Sequence, residues 1–363
     1  MLRAVSDPSL DQVLSSVSRS FYLSLAVLPR EVRDQLSSAY LVARAGDTIA
    51  DTRLIRAERR LQLLGGLKEA LHDERRSDQL VAEVHHELLG KGGGTGPAAD
   101  NDAELRLLAR FGECLEALSR QSGEDRERTR RVLTALLSGM EKDLHRFPDD
   151  GGGLRALKTM EELDEHTYLA AGCVGEYWTE MCAAHIPSTA HMGRPDFVER
   201  GVRLGKALQL VNVIRDAPAD LADGRCYIPE ALLAEHRLTP ADLIGPGRLR
   251  ARPVVDDLRQ MALAHVDAAW PYVMAVPRRT PRLRLACIWP LWIGLATLER
   301  IAHLEDPLRP GEKVKVSRGE VYGLVASSIA VVAIDPLLTR RHWARRARAG
   351  WRGLRALHAA REQ

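Results

Sequence analysis

The chain has 363 residues, of which 45% are hydrophobic, 28% charged and 5% aromatic, a composition that builds a large core and excludes a disordered tail. Lys and Arg number 52 against 49 Asp and Glu, a net charge of +3, which excludes a surface that tracks nucleic acid over its whole extent. Cys114, Cys173, Cys182, Cys226 and Cys287 stand far apart with no Cys-x-x-Cys spacing, the pattern of reduced cytosolic thiols rather than of a zinc site.

The N-terminal MLRAVSDPSLDQVLSS carries an acid early and no apolar core segment, so no export signal is expected and the cytoplasm is the expected compartment. Apolar residues then recur at helical spacing in LSSAYLVARAGDTIADT (36–52), ERRLQLLGGLKEAL (58–71), AELRLLARFGECLEALSR (103–120) and RTRRVLTALLSGMEKDL (128–144). Alternating strand patterns are scarce. GKGGGTGPAADND (90–102) reads as a flexible loop between two amphipathic helices, and FPDDGGG (147–153), AHIPSTAHMGRP (184–195) and IGPGRLRARP (244–253) are shorter breaks. Two charge-free stretches, LACIWPLWIGLATL (285–298) and VYGLVASSIAVVAI (321–334), fall short of the roughly 18 residues that spanning needs and are expected as buried helices. The prediction is all-α, one domain over residues 1–363 with helices around a central space, ending in an Arg-rich tail at 340–363. In that tail Trp343, Ala347, Trp351 and Leu354 recur at helical spacing, a pattern equally suited to a peripheral contact with an anionic membrane and to docking on the protein body.

The sharpest local signal is Asp47 and Asp51 in ARAGDTIADT, two carboxylates on one helix face at i, i+4. A second pair with the same spacing, Asp216 and Asp220, closes the apolar run LGKALQLVNVIRD and continues into APAD. Either pair alone fits a solvated face with ion pairs. Two such faces, each preceded by apolar residues and opposed to one another, would make a cation site. Carboxylates suit Mg²⁺, which keeps waters and completes its octahedron with phosphate oxygens, so a diphosphate is the implied ligand. Arg19, Arg44, Arg215 and Arg225 stand in or near these segments, and guanidinium forks match phosphate oxygens.

Four blocks, SRSFYLSLAVLP (18–29), YLVARAGDTIADT (40–52), TYLAAGCVGEYW (167–178) and LQLVNVIRDAPADLADGRCYIP (208–229), resemble the squalene and phytoene synthase family, the head-to-head prenyl diphosphate synthases. The segment 285–298 followed by EKVKVSRGEVYGLV (312–325) resembles the C-terminal part of the squalene-forming, NADPH-using members. The resemblance implies the all-α class I isoprenoid (terpenoid) synthase fold, with both aspartate motifs at one end of a central apolar cavity. It also implies two farnesyl diphosphates per turnover, joined head to head into presqualene diphosphate and then rearranged to squalene with hydride from NADPH. On this resemblance Asp47, Asp51, Asp216 and Asp220 hold Mg²⁺. Ser18, Arg19, Ser20, Tyr40, Arg44, Arg215 and Arg225 contact substrate, and Tyr168 serves the cyclopropane-forming step. Asn212, Lys315 and Arg318 meet the cofactor.

Each of these has a plainer alternative: Tyr168 as a core tyrosine, Ser18 and Arg19 as a helix cap and a surface ion pair, Lys315 and Arg318 as solvated loop residues. No glycine fingerprint of a Rossmann dinucleotide site precedes a strand. The chain departs from the family pattern at Ala50, where an acid is common, and at Ser317, where a basic residue is common in eukaryotic relatives. Pro218, between the second pair of acids, is expected to kink its helix. Rival readings are a phytoene, dehydrosqualene or hydroxysqualene synthase without hydride transfer, and an inactive binding or assembly protein on the same fold.

Overall fold

A computed structural model describes residues 7–18, 21–90, 98–148 and 152–350. It is all-α as the periodicity predicts, and the chain divides into two compact units, Met1–Asp150 with Glu176–Arg194 and Gly151–Gly175 with Pro195–Gln363.

The first unit contains α1 (Pro8–Val17), α2 (Phe21–Val27), α3 (Arg30–Asp51), α4 (Ala57–His72), α5 (Ser77–Val84), α6 (Ala98–Ala109), α7 (Phe111–Ser119) and α8 (Gly123–Arg146). Its axis is α3, which packs against α4, α7 and α8. Val32, Leu36, Ala39, Val42, Ala45 and Ile49 recur every three or four residues and are all buried, the stripe that holds α3 in the core. Each large apolar side chain among them contributes about 1.5–3 kcal/mol on burial. The segment expected as a loop over 90–102 is shorter than its composition suggests, because α6 already starts at Ala98. In residues 176–194 the Tyr177 hydroxyl reaches Thr129 Oγ1 at 2.8 Å, and His185 Nε2 lies 2.8 Å from Asp125 Oδ1.

The second unit contains α9 (Met160–Thr167), a π-helical turn (Tyr168–Gly172), the start of α10 (Cys173–His185), α11 (Pro195–Ala222), α12 (Glu230–Glu235) and α13 (Pro240–Ile244). It continues with α14 (Arg252–Ala275), α15 (Pro281–His303), α16 (Arg318–Ile329) and α17 (Asp335–Gly350). Long α11 packs along α14, α15 and the π-turn. Two glycines allow the closest of these approaches: a Cβ on Gly175 would stand 2.0 Å from the Gly201 carbonyl oxygen, and one on Gly205 would stand 2.1 Å from that of Ala171. One short parallel pairing, β1 (Arg155–Ala156) with β2 (Arg225–Cys226), ties the chain after α11 back to the segment before α9.

Helix α15, the first of the two charge-free stretches, is a core helix as expected. It is long and apolar enough to cross a membrane, and 72% of its apolar window is buried. The second stretch corrects the expectation of a buried helix. In α16 and the turn after it only Leu324, Ser328, Val331 and Val332 are buried, while Tyr322, Ile329 and Ile334 are exposed. Absence of charge misled here, since small Gly, Ala and Ser residues dilute the run and leave it a single inward stripe. Helix α17 is docked on the second unit: buried Arg284 bonds Val276, Val332 and Met274 carbonyls and Asp335, and buried Arg259 bonds the Ala349 carbonyl. The tail residues Trp351 and Leu354 lie outside the described residues.

Candidate functional site

In the first unit Asp51 ends α3 and Asp47 lies one turn before it, and the last turn contains no basic residue. Carboxylates there face the partial negative charge of the helix C-terminus, an arrangement unfavourable by a few tenths of a kcal/mol or more for each acid. Arg44, one turn earlier, ion-pairs with Asp47, and its other nitrogen, Nη2, lies 2.5 Å from Glu104 Oε1 on α6. Tyr40 faces Arg44 and stacks on Phe21 with ring centres 5.4 Å apart. Burial, and after it the charge of Asp51, push the Asp47 carboxyl up to about 6, against the opposing pull of Arg44. The Ser18 hydroxyl is buried and donates to the Leu14 carbonyl at 2.5 Å, closing the end of α1. Arg19 and Ser20 lie outside the described residues.

In the second unit Asp216 and Asp220 sit in the final turns of α11, again with no basic residue in the last turn. The helix runs on through Pro218 to Ala222. Arg215 grips Asp216 with two nitrogens, Nε at 2.8 Å from Oδ1 and Nη2 at 2.5 Å from Oδ2. Burial first, then the charge of Asp216, push the Asp220 carboxyl up to about 7, and Arg225 and His166 pull it the other way. Arg225 reaches this position because β2 pairs with β1, Arg225 opposite Arg155.

His166, absent from the residues singled out in the sequence, belongs to this group. It is buried in the last turn of α9, its ring packs at a tilt of 33° on Tyr227 with ring centres 4.4 Å apart, and its Nε2 lies 3.2 Å from Gln209 Nε2. With the amide as donor the imidazole proton is on Nδ1. Asn212 Nδ2 donates to Gln209 Oε1 at 3.3 Å, so Asn212 joins the same network. Tyr168 falls elsewhere, about 200° round the helix from His166. Its ring faces Lys206 Nζ at 5.9 Å, and that ammonium pairs with Asp164 Oδ1 at 2.6 Å. Glu104, Gln209 and Tyr227 were likewise missed. The one legible hint was the His-Thr-Tyr run, which offers two polar rings on different faces.

Lys315 and Arg318 are both exposed, Arg318 being the first residue of α16. Ser317 and Glu320 form a capping box there, and Glu320 also pairs with Arg300. Among the described residues no hydrogen bond or ion pair links Lys315 or Arg318 to Asn212.

Two carboxylates at each helix end, one of each pair (Asp47, Asp220) pushed up by burial and by its neighbour's charge, are a donor set that a divalent cation relieves. Among the described residues no three or more His, Cys, Asp and Glu side chains cluster into a ready metal cage. That fits a hard ion bound through one or two carboxylates and completed by waters and phosphate.

Residues 14–320 match the sequence model of the squalene/phytoene synthase family. The chain belongs to this family. It is 22% identical over 330 residues to the squalene synthase of Schizosaccharomyces pombe, covering 91% of this chain and 66% of that protein, so it spans just under two thirds of that relative's length. It is 28% identical over 333 residues to the presqualene diphosphate synthase of Rhodopseudomonas palustris, covering 89% of this chain and 99% of that one. Among solved structures, TcSQS in complex with the ligand E5700 superposes with a TM-score of 0.72 at 23% identity, covering 94% of this chain and 92% of that one. The fold is that of the isoprenoid synthases.

Proposed function

We propose that the protein joins two farnesyl diphosphates head to head into presqualene diphosphate and then converts this to squalene with hydride from NADPH. The observation that carries the proposal is the pair of aspartates at the C-terminal end of α3 and again of α11, each with one carboxyl raised well above its ordinary 3.8. Ionising an allylic carbon–oxygen bond in an apolar interior requires that the departing diphosphate charge be met by fixed cations. Asp47 and Asp51 in the first unit and Asp216 and Asp220 in the second would hold Mg²⁺, which would supply that charge.

The remaining roles fall to the chain itself. Arg44 and Arg215 hold the carboxylates in place from one side, with Arg225 as the cation facing Asp220, and each can turn a guanidinium edge to a phosphate. Ser18, Arg19, Ser20 and Tyr40 complete the substrate contacts. Tyr168 and His166, both near the start of the π-turn, are the polar rings available to the proton loss that closes the cyclopropane, and Gly172 lets the Tyr168 ring and α11 pack closely against that turn. Surrounding apolar side chains must exclude water, because water would trap the cation as an alcohol. Asn212, Lys315 and Arg318 are the proposed contacts to NADPH.

A second reading keeps the condensation and omits the hydride. It is favoured by the R. palustris relative, named for presqualene diphosphate alone, and by the occupied cap of α16, where Glu320 already meets the helix start beside Arg318. Purified protein incubated with farnesyl diphosphate and Mg²⁺, with and without NADPH, separates the two by mass spectrometry. Squalene formed only with NADPH supports the main proposal. One and the same product in both reactions refutes the reductive half, and no diphosphate release in either refutes the whole.

A further inference from the structure

Among the described residues, eight large hydrophobic side chains are exposed, and five of them, Tyr322, Ile329, Ile334, Leu337 and Trp343, lie within one stretch formed by α16, the turn after it and α17. They expose between 44% and 63% of their surface. Arg341 Nη1 donates to the Ser327 carbonyl at 2.7 Å and fastens α17 to α16. On α17 the inward positions are Leu338, His342 and Ala349, so Leu337, Arg340, Arg341 and Trp343 fall on the outward side. The two acids of these helices are already engaged, Glu320 by Arg300 and Asp335 by Arg278 and Arg284. Arg346 and Arg348 are paired with Asp267 and Glu299. Arg340 and Arg341 have no carboxylate partner among the described residues.

An apolar face edged by uncompensated guanidinium groups, with a tryptophan and a tyrosine at its border, has the chemistry of an interfacial contact with anionic lipid. We propose that the outward face of α16 and α17 is a docking surface for an anionic lipid bilayer. Charge decides between occupants. Residues 351–363 of the same chain carry Arg352, Arg355 and Arg361 against Glu362, so they bring like charge to the face. A second copy related by a two-fold axis sets Arg340 and Arg341 against their own counterparts, with no free acid to meet them. A bilayer of acidic lipids satisfies both the apolar side chains and the arginines. This inference is independent of the reaction proposed above.

The test is sedimentation of the full chain with vesicles of phosphatidylcholine alone and of phosphatidylcholine mixed with phosphatidylglycerol. The protein is expected to bind the acidic vesicles and to be released by salt. The double change Arg340→Gln, Arg341→Gln is expected to weaken binding about 25-fold, about fivefold for each arginine. Ile329→Ser with Leu337→Ser is expected to weaken it as well. Both double variants should keep the thermal midpoint and the rate of diphosphate release in detergent solution. The proposal is overturned by absence of binding to acidic vesicles. It is equally overturned if both double variants bind as the parent does while Arg352→Gln, Arg355→Gln, Arg361→Gln does not, or if light scattering shows a dimer that Ile329→Ser, Leu337→Ser dissociates without any vesicle binding.

Discussion

Asp220→Asn tests the electrostatic account of the second acid pair most directly, because it predicts a gain in stability together with a loss of function. Burial and Asp216 move the Asp220 carboxyl from 3.8 to about 7 in the folded protein. Below pH 3.8 both folded and unfolded chains carry the proton and the group is neutral to stability. Between 3.8 and about 7 the unfolded chain ionises first, so the folded state loses ground as pH rises, and above about 7 the deficit is constant. Three pH units correspond to ~4 kcal/mol, and solvent screening of a partly exposed side chain reduces this to about 2 kcal/mol. Asparagine never ionises and escapes the deficit. In Mg²⁺-free buffer the variant should therefore be more stable than the parent by about 2 kcal/mol at pH 8 and nearly equal to it at pH 4, read from denaturant unfolding at each pH. Adding Mg²⁺ and inorganic diphosphate should stabilise the parent and leave the variant unmoved, and farnesyl diphosphate turnover should be lost in the variant. A variant no more stable than the parent at pH 8, or equally stabilised at both pH values, refutes the reasoning.

Gly205→Ala places a methyl against the Ala171 carbonyl, where neither backbone can yield cheaply, and should cost ~1–3 kcal/mol in denaturant unfolding with a parallel loss of turnover. His342 lies buried against Trp270 with ring centres 3.7 Å apart, and burial holds it down to about 4. Because the unfolded chain takes up the proton first, near 6.5, stability should fall by ~2 kcal/mol between pH 7.5 and pH 5, and His342→Phe should abolish that fall in urea titrations at the two pH values. Arg44→Gln removes a cation that opposes the rise of the Asp47 carboxyl, so the acid limb of the pH–rate profile should move to higher pH, whereas an unshifted limb would detach Arg44 from the chemistry.

Local patterns were legible in the sequence because their physics is local. The stripe of α3 repeats every three or four residues, and the i, i+4 aspartates share a helix face whatever surrounds them. What was not legible depends on distant partners. Glu104 meets Arg44 only because α6 packs in the first unit, and Arg225 meets Asp220 only because β2 pairs with a strand 70 positions earlier in the chain. His166 carries no signal of its own in the sequence, and only the packing of α9 on α11 brings its imidazole to the Gln209 network. The exposure of α16 was misjudged for a related reason, since hydropathy counts charges and cannot tell how much of a helix its neighbours cover.

The places where the chain breaks local rules coincide with the proposed chemistry. Acids end α3 and α11 where a helix favours bases, a proline lies inside α11 between two of those acids, and a π-turn interrupts the helix that carries His166 and Tyr168. Glycines replace larger residues where α11 meets that turn. Each feature weakens an isolated helix, by tenths of a kcal/mol for an unfavourable end charge and by more for an interior proline. None is needed to fill the core, which α14 and α15 supply with Leu258, Leu263, Ile288, Trp292 and Leu298. Such features persist when the surrounding fold holds them in place and a bound ligand compensates them. In the function proposed above, a divalent cation with diphosphate would be that ligand by charge. The proposal then predicts that metal, diphosphate and folding are thermodynamically linked, the parent chain gaining more stability from Mg²⁺ and diphosphate together than from the sum of each alone.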